Sequence, residues 1–162
     1  LKLFIDEEMK MPLSEKLTAM NITLPTLAGP FGAYVPAKRV GNLLYVSGQL
    51  PMKDGQLIAT GTVPSVTSIE SATAAARQCV INGLAAAATV LESVDQIVGV
   101  VRVGAFVASD AGFSAQPTVA NGASTFLIDL LGDAGRHVRA AVGVNVLPLN
   151  ASVEVEFIFE VI

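Results

Sequence analysis

The sequence has one cysteine, Cys79, and one histidine, His137. A lone thiol excludes an internal disulfide framework, and one thiol with one imidazole cannot build a Cys/His metal cluster. An all-carboxylate site stays open on these grounds, but neither a metal nor a cofactor is expected. Basic residues are also scarce: ten Lys+Arg stand against fourteen Asp+Glu, for a net charge of -4. They are scattered, so no basic stripe exists to neutralise phosphates, which speaks against a nucleic-acid partner. No apolar run reaches the roughly 18 residues of a membrane span. The opening "LKLFIDEEMKMPLSEKL" sets acids inside its apolar pattern and has no small-residue cleavage site. The expectation is a soluble cytoplasmic protein with no membrane partner, an organelle such as the mitochondrion being left open.

What is present is apolar mass. At 162 residues, 52% hydrophobic and 15% charged, the chain can bury one substantial core, and some apolar surface is expected to go into subunit contacts. Pro12 followed by "LSEKLTAM" predicts a short helix. "YVPAKRV" and "NLLYVSGQLP" read as strands around a Gly41-Asn42 turn, with a possible further strand at "QLIATG". From Ser68 the period changes: "SIESATAAARQCVINGLAAAATVLES" is a long helix with Ser68 or Ser71 as cap, its Ile69, Ala72, Ala76, Cys79, Val80, Gly83 and Leu84 on one face. "QIVGVVRVGAFVAS" is a long strand. "TVANGASTFLIDLLGDAG" is a second helix that Gly132 or Gly135 stops. "HVRAAVGVNVLP" and "ASVEVEFIFEVI" close the chain as two strands joined near Asn150, the last with Glu154, Glu156 and Glu160 on one face and Val153, Val155, Phe157 and Phe159 on the other. This order predicts an α+β fold, a mixed sheet with two helices packed on one face.

Within this pattern Arg139 raises a chemical question, because a guanidinium on a strand of small and apolar residues must be paired, solvated or waiting for an anion. The structural answer is a pair with Glu154 or Glu156 across the terminal hairpin. Arg102 and Arg136 are assigned structural or solvated roles, and Cys79 is placed in the core, where a buried thiol is inert. His137, two residues from Arg139, is read as an exposed or capping histidine. "AGPFGAYVPAKRVG" is not a phosphate loop, lacking the Gly-Lys-Ser/Thr ending and the strand-to-helix context.

The segments "GPFGAYV", "LLYVSGQLP", "ARQCVINGLAA", "VVRVGAFVAS" and above all "RAAVGVNVLPLNASVEVE" resemble, in order, the Rid family of reactive intermediate deaminases, also called the YjgF or L-PSP endoribonuclease family. The resemblance covers residues 29–162 as one domain and leaves residues 1–28 as an N-terminal extension with a short helix. It implies a chorismate-mutase-like fold, a homotrimer with small-molecule clefts between subunits, and hydrolysis of 2-imino or 2-enamino acids to 2-keto acids and ammonia. By the same resemblance Arg139 binds the substrate carboxylate and Glu154 orients or deprotonates the attacking water. Phe31, Ser47, Gly48, Asn121 and Ala141 line the cleft, Ala141 through its backbone. Two positions depart from the family pattern: Phe31 stands where deaminating members carry tyrosine, with Tyr34 nearby, and Ala141 where cysteine is common. Two other functions are weighed: a non-catalytic binder of small carboxylates such as 2-keto acids, which needs Arg139 but not Glu154, and RNA cleavage, which fits the acidic balance poorly.

Overall fold

The computed structural model describes residues 11–27 and 32–162. Three helices, α1 (Leu13–Ala19), α2 (Ile69–Ala87) and α3 (Gln116–Leu131), accompany seven strands: β1 (Ala37–Val40), β2 (Leu43–Gln49), β3 (Met52–Lys53), β4 (Gln56–Leu57), β5 (Ile97–Ala108), β6 (Val138–Val144) and β7 (Val153–Val161). Five strands form one sheet in the order β1-β2-β7-β5-β6, while β3 and β4 make a separate small hairpin. Among the described strands only β5 and β6 run parallel, which requires a crossover, and α3 supplies it.

Local chemistry sets the element ends. Ser68 Oγ accepts the Ser71 amide at 3.1 Å and caps α2, with Glu70 in the first turn complementing the helix dipole. Pro117 sits in the first turn of α3, and Gly132, at φ 60°, ends it. The β1–β2 hairpin turns through Gly41, also left-handed at φ 61°.

Helix α2 covers β2 and β7, and α3 covers β5 and β6. Beneath them lie Leu44, Val103, Phe157 and Phe159, all essentially buried, with the two phenyl rings stacked at 5.5 Å. Among the described residues the other sheet face has no helix on it. On β7 the burial alternates with the side-chain period, Val153, Val155, Phe157 and Phe159 facing the helices and Glu154, Glu156 and Glu160 facing away. The small-residue character of the helices has a structural use at Gly122: a Cβ there would collide with the carbonyl of Thr73, so glycine lets α3 press against α2.

One sequence expectation meets a different outcome. β6 and β7 are consecutive in the chain but not paired, because β5 lies between them. Helix α1, from the expected N-terminal extension, packs into the common core through Leu13 and Leu17. Its position is fixed by Ser14, whose amide and hydroxyl both donate to Asp95 (2.7 and 2.8 Å), and by Lys16, whose Nζ donates to the Leu130 carbonyl at 2.8 Å. These bonds to Ser14 hold the Asp95 carboxyl below its usual range.

Candidate functional site

Arg139 lies on the edge strand β6, directly opposite Val103, which in turn pairs with Phe157. Residues in register share a face, so Arg139 is on the helix-covered side, at the border where the cover ends. Its Nη1 donates to Asn121 Oδ1 at 2.8 Å and to Ser124 Oγ at 3.1 Å, two residues one turn apart on α3. Both hydrogens of Nη1 are thereby used. Among the described residues no carboxylate comes within ion-pair distance of this guanidinium, whose partners are neutral. The remaining edge, Nε–H with the hydrogens of Nη2, is the planar fork that matches a carboxylate.

The structural alternative weighed for Arg139, a pair with Glu154 or Glu156, is not formed. Glu156 is held by Arg102 at 2.7 Å. Glu154 pairs in register with Phe106, and through it with Val142, on the open face of the sheet. Arg139 and Glu154 thus occupy opposite faces, with β5 between their strands, and no rotamer within one chain joins them.

Glu154 has its own surroundings. Its carboxylate rests against the backbone at Gly48, where a Cβ would overlap Oε1, so that glycine is the residue that leaves room for the acid. Gly48 sits where the β2–β7 register shifts, between Val46 and Gln49. Half-burial, and then the charge of Glu156, push the Glu154 carboxyl above the usual glutamate range. Ser47, next to it, donates its hydroxyl to the Val35 carbonyl at 2.7 Å. It lines an open-face concavity of about 530 Å³ together with Tyr34, Lys38, Tyr45, Arg102 and Glu156. A larger groove of about 960 Å³ runs between residues 20–27, the β3–β4 hairpin and α2, and neither Arg139 nor Glu154 lines it.

The expected residues therefore fall into two groups, Arg139, Asn121 and Ala141 at the α3–β6 border and Glu154, Ser47 and Gly48 on the open face. Ala141 is half-buried against the core, on an edge strand whose outer side has no strand partner among the described residues. Phe31 lies outside the described residues. Cys79 is fully buried, and burial pushes its thiol up. Two residues beside Arg139 were not assigned a site role from the sequence. Ser124 Oγ lies 2.8 Å from His137 Nε2, and His137 Nδ1 lies 2.6 Å from the Gly135 carbonyl. Burial is the main cause that holds His137 below the ordinary imidazole range, with Arg139 adding to it against the opposing pull of the Gly135 bond. The signal for Ser124 was its i,i+3 spacing from Asn121, which puts both on one helix face. Among the described residues no three His, Cys, Asp or Glu side chains gather into a cluster that could hold a metal ion, and no helix is long and apolar enough to cross a membrane.

Fold and site together define an α+β protein of mixed sheet with an arginine at a sheet edge that has no carboxylate partner among the described residues. Residues 14–161 match the family described as "YjgF/chorismate_mutase-like, putative endoribonuclease". Protein TCP17 of Trypanosoma cruzi is 37% identical over 149 residues, 91% of this chain and 93% of that protein. The crystal structure of protein Atu1372, of unknown function, from Agrobacterium tumefaciens is 42% identical, with a TM-score of 0.84 over 94% of each chain. A second structure, of a Shewanella oneidensis MR-1 protein given the same endoribonuclease description, is 28% identical, with a TM-score of 0.87 over 93% of this chain and 99% of that one. The chain belongs to the Rid/YjgF/L-PSP family, as its terminal motif suggests.

Proposed function

We propose that the protein hydrolyses reactive 2-imino acids to 2-keto acids and ammonia, at clefts assembled between neighbouring copies of a homotrimer. What carries the reading is the free Nε/Nη2 edge of Arg139: a preorganised fork with neutral supports and no carboxylate partner among the described residues. Arginine suits this role because it stays charged and binds a carboxylate through two parallel hydrogen bonds.

An imine carbon is already electrophilic, more so as the iminium, so positioning and electrostatics supply most of the catalysis. Arg139 holds the carboxylate. Glu154 takes a proton from water as its oxygen adds to the imine carbon, giving a carbinolamine. Glu154 returns that proton to nitrogen and then accepts the carbinolamine hydroxyl proton as the C–N bond breaks, so that the carbonyl forms, ammonia leaves, and the proton left on Glu154 passes to ammonia or solvent. Water and imine are consumed, keto acid and ammonia are released, and no redox partner is needed. A carboxyl held above the ordinary glutamate range is a stronger base once ionised, which favours this role for Glu154.

The opposite-face placement of Arg139 and Glu154 supports a cleft built from two chains, one giving each residue. Complementation tests this. Arg139→Ala and Glu154→Gln trimers are each inactive when imino acid is generated in place by an amino-acid oxidase and keto-acid release is followed. Co-refolded one to one, they recover about a quarter of wild-type turnover, because each cleft needs one intact donor of each kind from a cyclic assembly. No recovery on mixing would place both residues' work within one chain and sink the shared cleft. Glu154→Gln alone retains pyruvate binding, which separates hydrolysis from a role limited to holding small carboxylates.

A further inference from the structure

Beside the expected site residues a polar chain runs from Gly135 through His137 and Ser124 to Arg139. Its direction follows from donor and acceptor counting. The Gly135 carbonyl can only accept, so the 2.6 Å contact requires the proton on His137 Nδ1. In the neutral ring Nε2 is then an acceptor, and the 2.8 Å contact is the Ser124 hydroxyl donating to it. With its only hydrogen committed, Ser124 has lone pairs alone to offer Arg139 Nη1 at 3.1 Å. Asn121 Oδ1 accepts the other Nη1 hydrogen.

We propose that Ser124 and His137 are positioning residues: the neutral, Nδ1-protonated imidazole fixes the Ser124 hydroxyl, which with Asn121 pins one nitrogen of Arg139 and turns its Nε/Nη2 fork toward the incoming carboxylate. This rests on the reading of Arg139 as the carboxylate binder. The elements involved explain the economy of the arrangement. Ser124 is on α3, His137 immediately precedes β6, and Gly135 belongs to the short turn joining them, so the α3–β6 crossover itself carries the relay. Without it an exposed arginine would sample many rotamers and lose that freedom on each binding event.

The test uses the full-length protein and pyruvate as probe. His137 is the only histidine, so its ring nitrogens are read without ambiguity from a long-range proton–nitrogen correlation spectrum. The expected spectrum at pH 7.5 shows a neutral ring protonated on Nδ1; an Nε2-protonated ring overturns the proposal. Ser124→Ala is expected to weaken pyruvate binding on the order of tenfold and to raise KM for imino-acid turnover by a similar factor with kcat held within about twofold, since the grip on the carboxylate is the same in ground and transition states. Ser124→Thr, which keeps the hydroxyl, restores affinity to within about threefold of wild type, a rescue that lost packing would not give. Equal affinity of Ser124→Ala and wild type, or equal weakness of the Ala and Thr variants, overturns the relay while leaving Arg139 as binder. If the wild type binds pyruvate no better than Arg139→Ala does, the reading of Arg139 falls and takes this proposal with it.

Discussion

At the scale of single residues, Gly48 and Glu154 make a sharper pair than either does alone. The carboxylate occupies the space a Cβ would take at residue 48, and half-burial there is the main cause of its raised pKa. As the base, Glu154 must be ionised, so turnover is lost as pH falls through its folded value, which lies above that of an ordinary glutamate. The atom a Gly48→Ala methyl would strike is the end of a flexible side chain, so the fold yields by moving the carboxylate outward. The expected pH–rate profile of Gly48→Ala therefore has its acid limb displaced toward lower pH and a reduced plateau, with pyruvate affinity unchanged. An acid limb identical to that of wild type would dissociate the limb from Glu154. Glu154 was legible in the sequence through its motif and through strand alternation. Gly48's reason for being glycine was not, since it depends on a contact from another strand.

At the scale of elements, α2 and the Gly41 turn were readable, because each is decided by local residues, while the cap of α2 was narrowed to Ser68 or Ser71 and the end of α3 to Gly132 or Gly135, and the structure selects Ser68 and Gly132. Of the β3–β4 hairpin only β4 was readable, as the start of the further strand at "QLIATG"; the turn went unread, because strands of two residues are too short for alternation to show. The pair Asp54 and Gly55, both at positive φ, was its only local signal. The order of β6 and β7 was misread as a hairpin because chain neighbours usually pair, and the parallel crossover through α3 overrides that habit. The α2–α3 seam gives a stability prediction. In Gly122→Ala the new methyl meets the backbone carbonyl of Thr73, which cannot rotate away as a side chain can. Overpacking of this kind costs about 1–3 kcal/mol. It offsets the roughly 1 kcal/mol that alanine gains over glycine in a helix interior, so urea unfolding is expected to show net destabilisation. A gain in stability would mean that the seam opens at little cost.

At the scale of the whole molecule, the open sheet face is the feature a single chain does not account for. Val138 and Val142 stand on it 67% and 45% exposed, on the edge strand that also carries Arg139. In the proposed trimer this face meets a second copy, which would bring a Glu154 side to an Arg139 side. Val142→Asp puts a charge on that face without touching the helix-side core. The variant is expected to sediment as a monomer, keep the wild-type circular dichroism spectrum and lose turnover. An active Val142→Asp monomer would contradict the shared cleft, and an active trimer would move the interface elsewhere.

The sequence by itself determined the α+β class, the two long helices, the faces of β7 and the identity of Arg139 and Glu154 as the residues to examine, because periodicity, turn chemistry and motif are all local in the chain. Only the tertiary structure decided where these residues stand. Inserting β5 between β6 and β7 sent Arg139 and Glu154 to opposite faces, and folding α3 back onto β6 brought Asn121, Ser124 and His137 around the guanidinium. Neither follows from spacing along the chain, since strand order and helix docking are set by which buried surfaces pack together, not by which residues are neighbours in sequence.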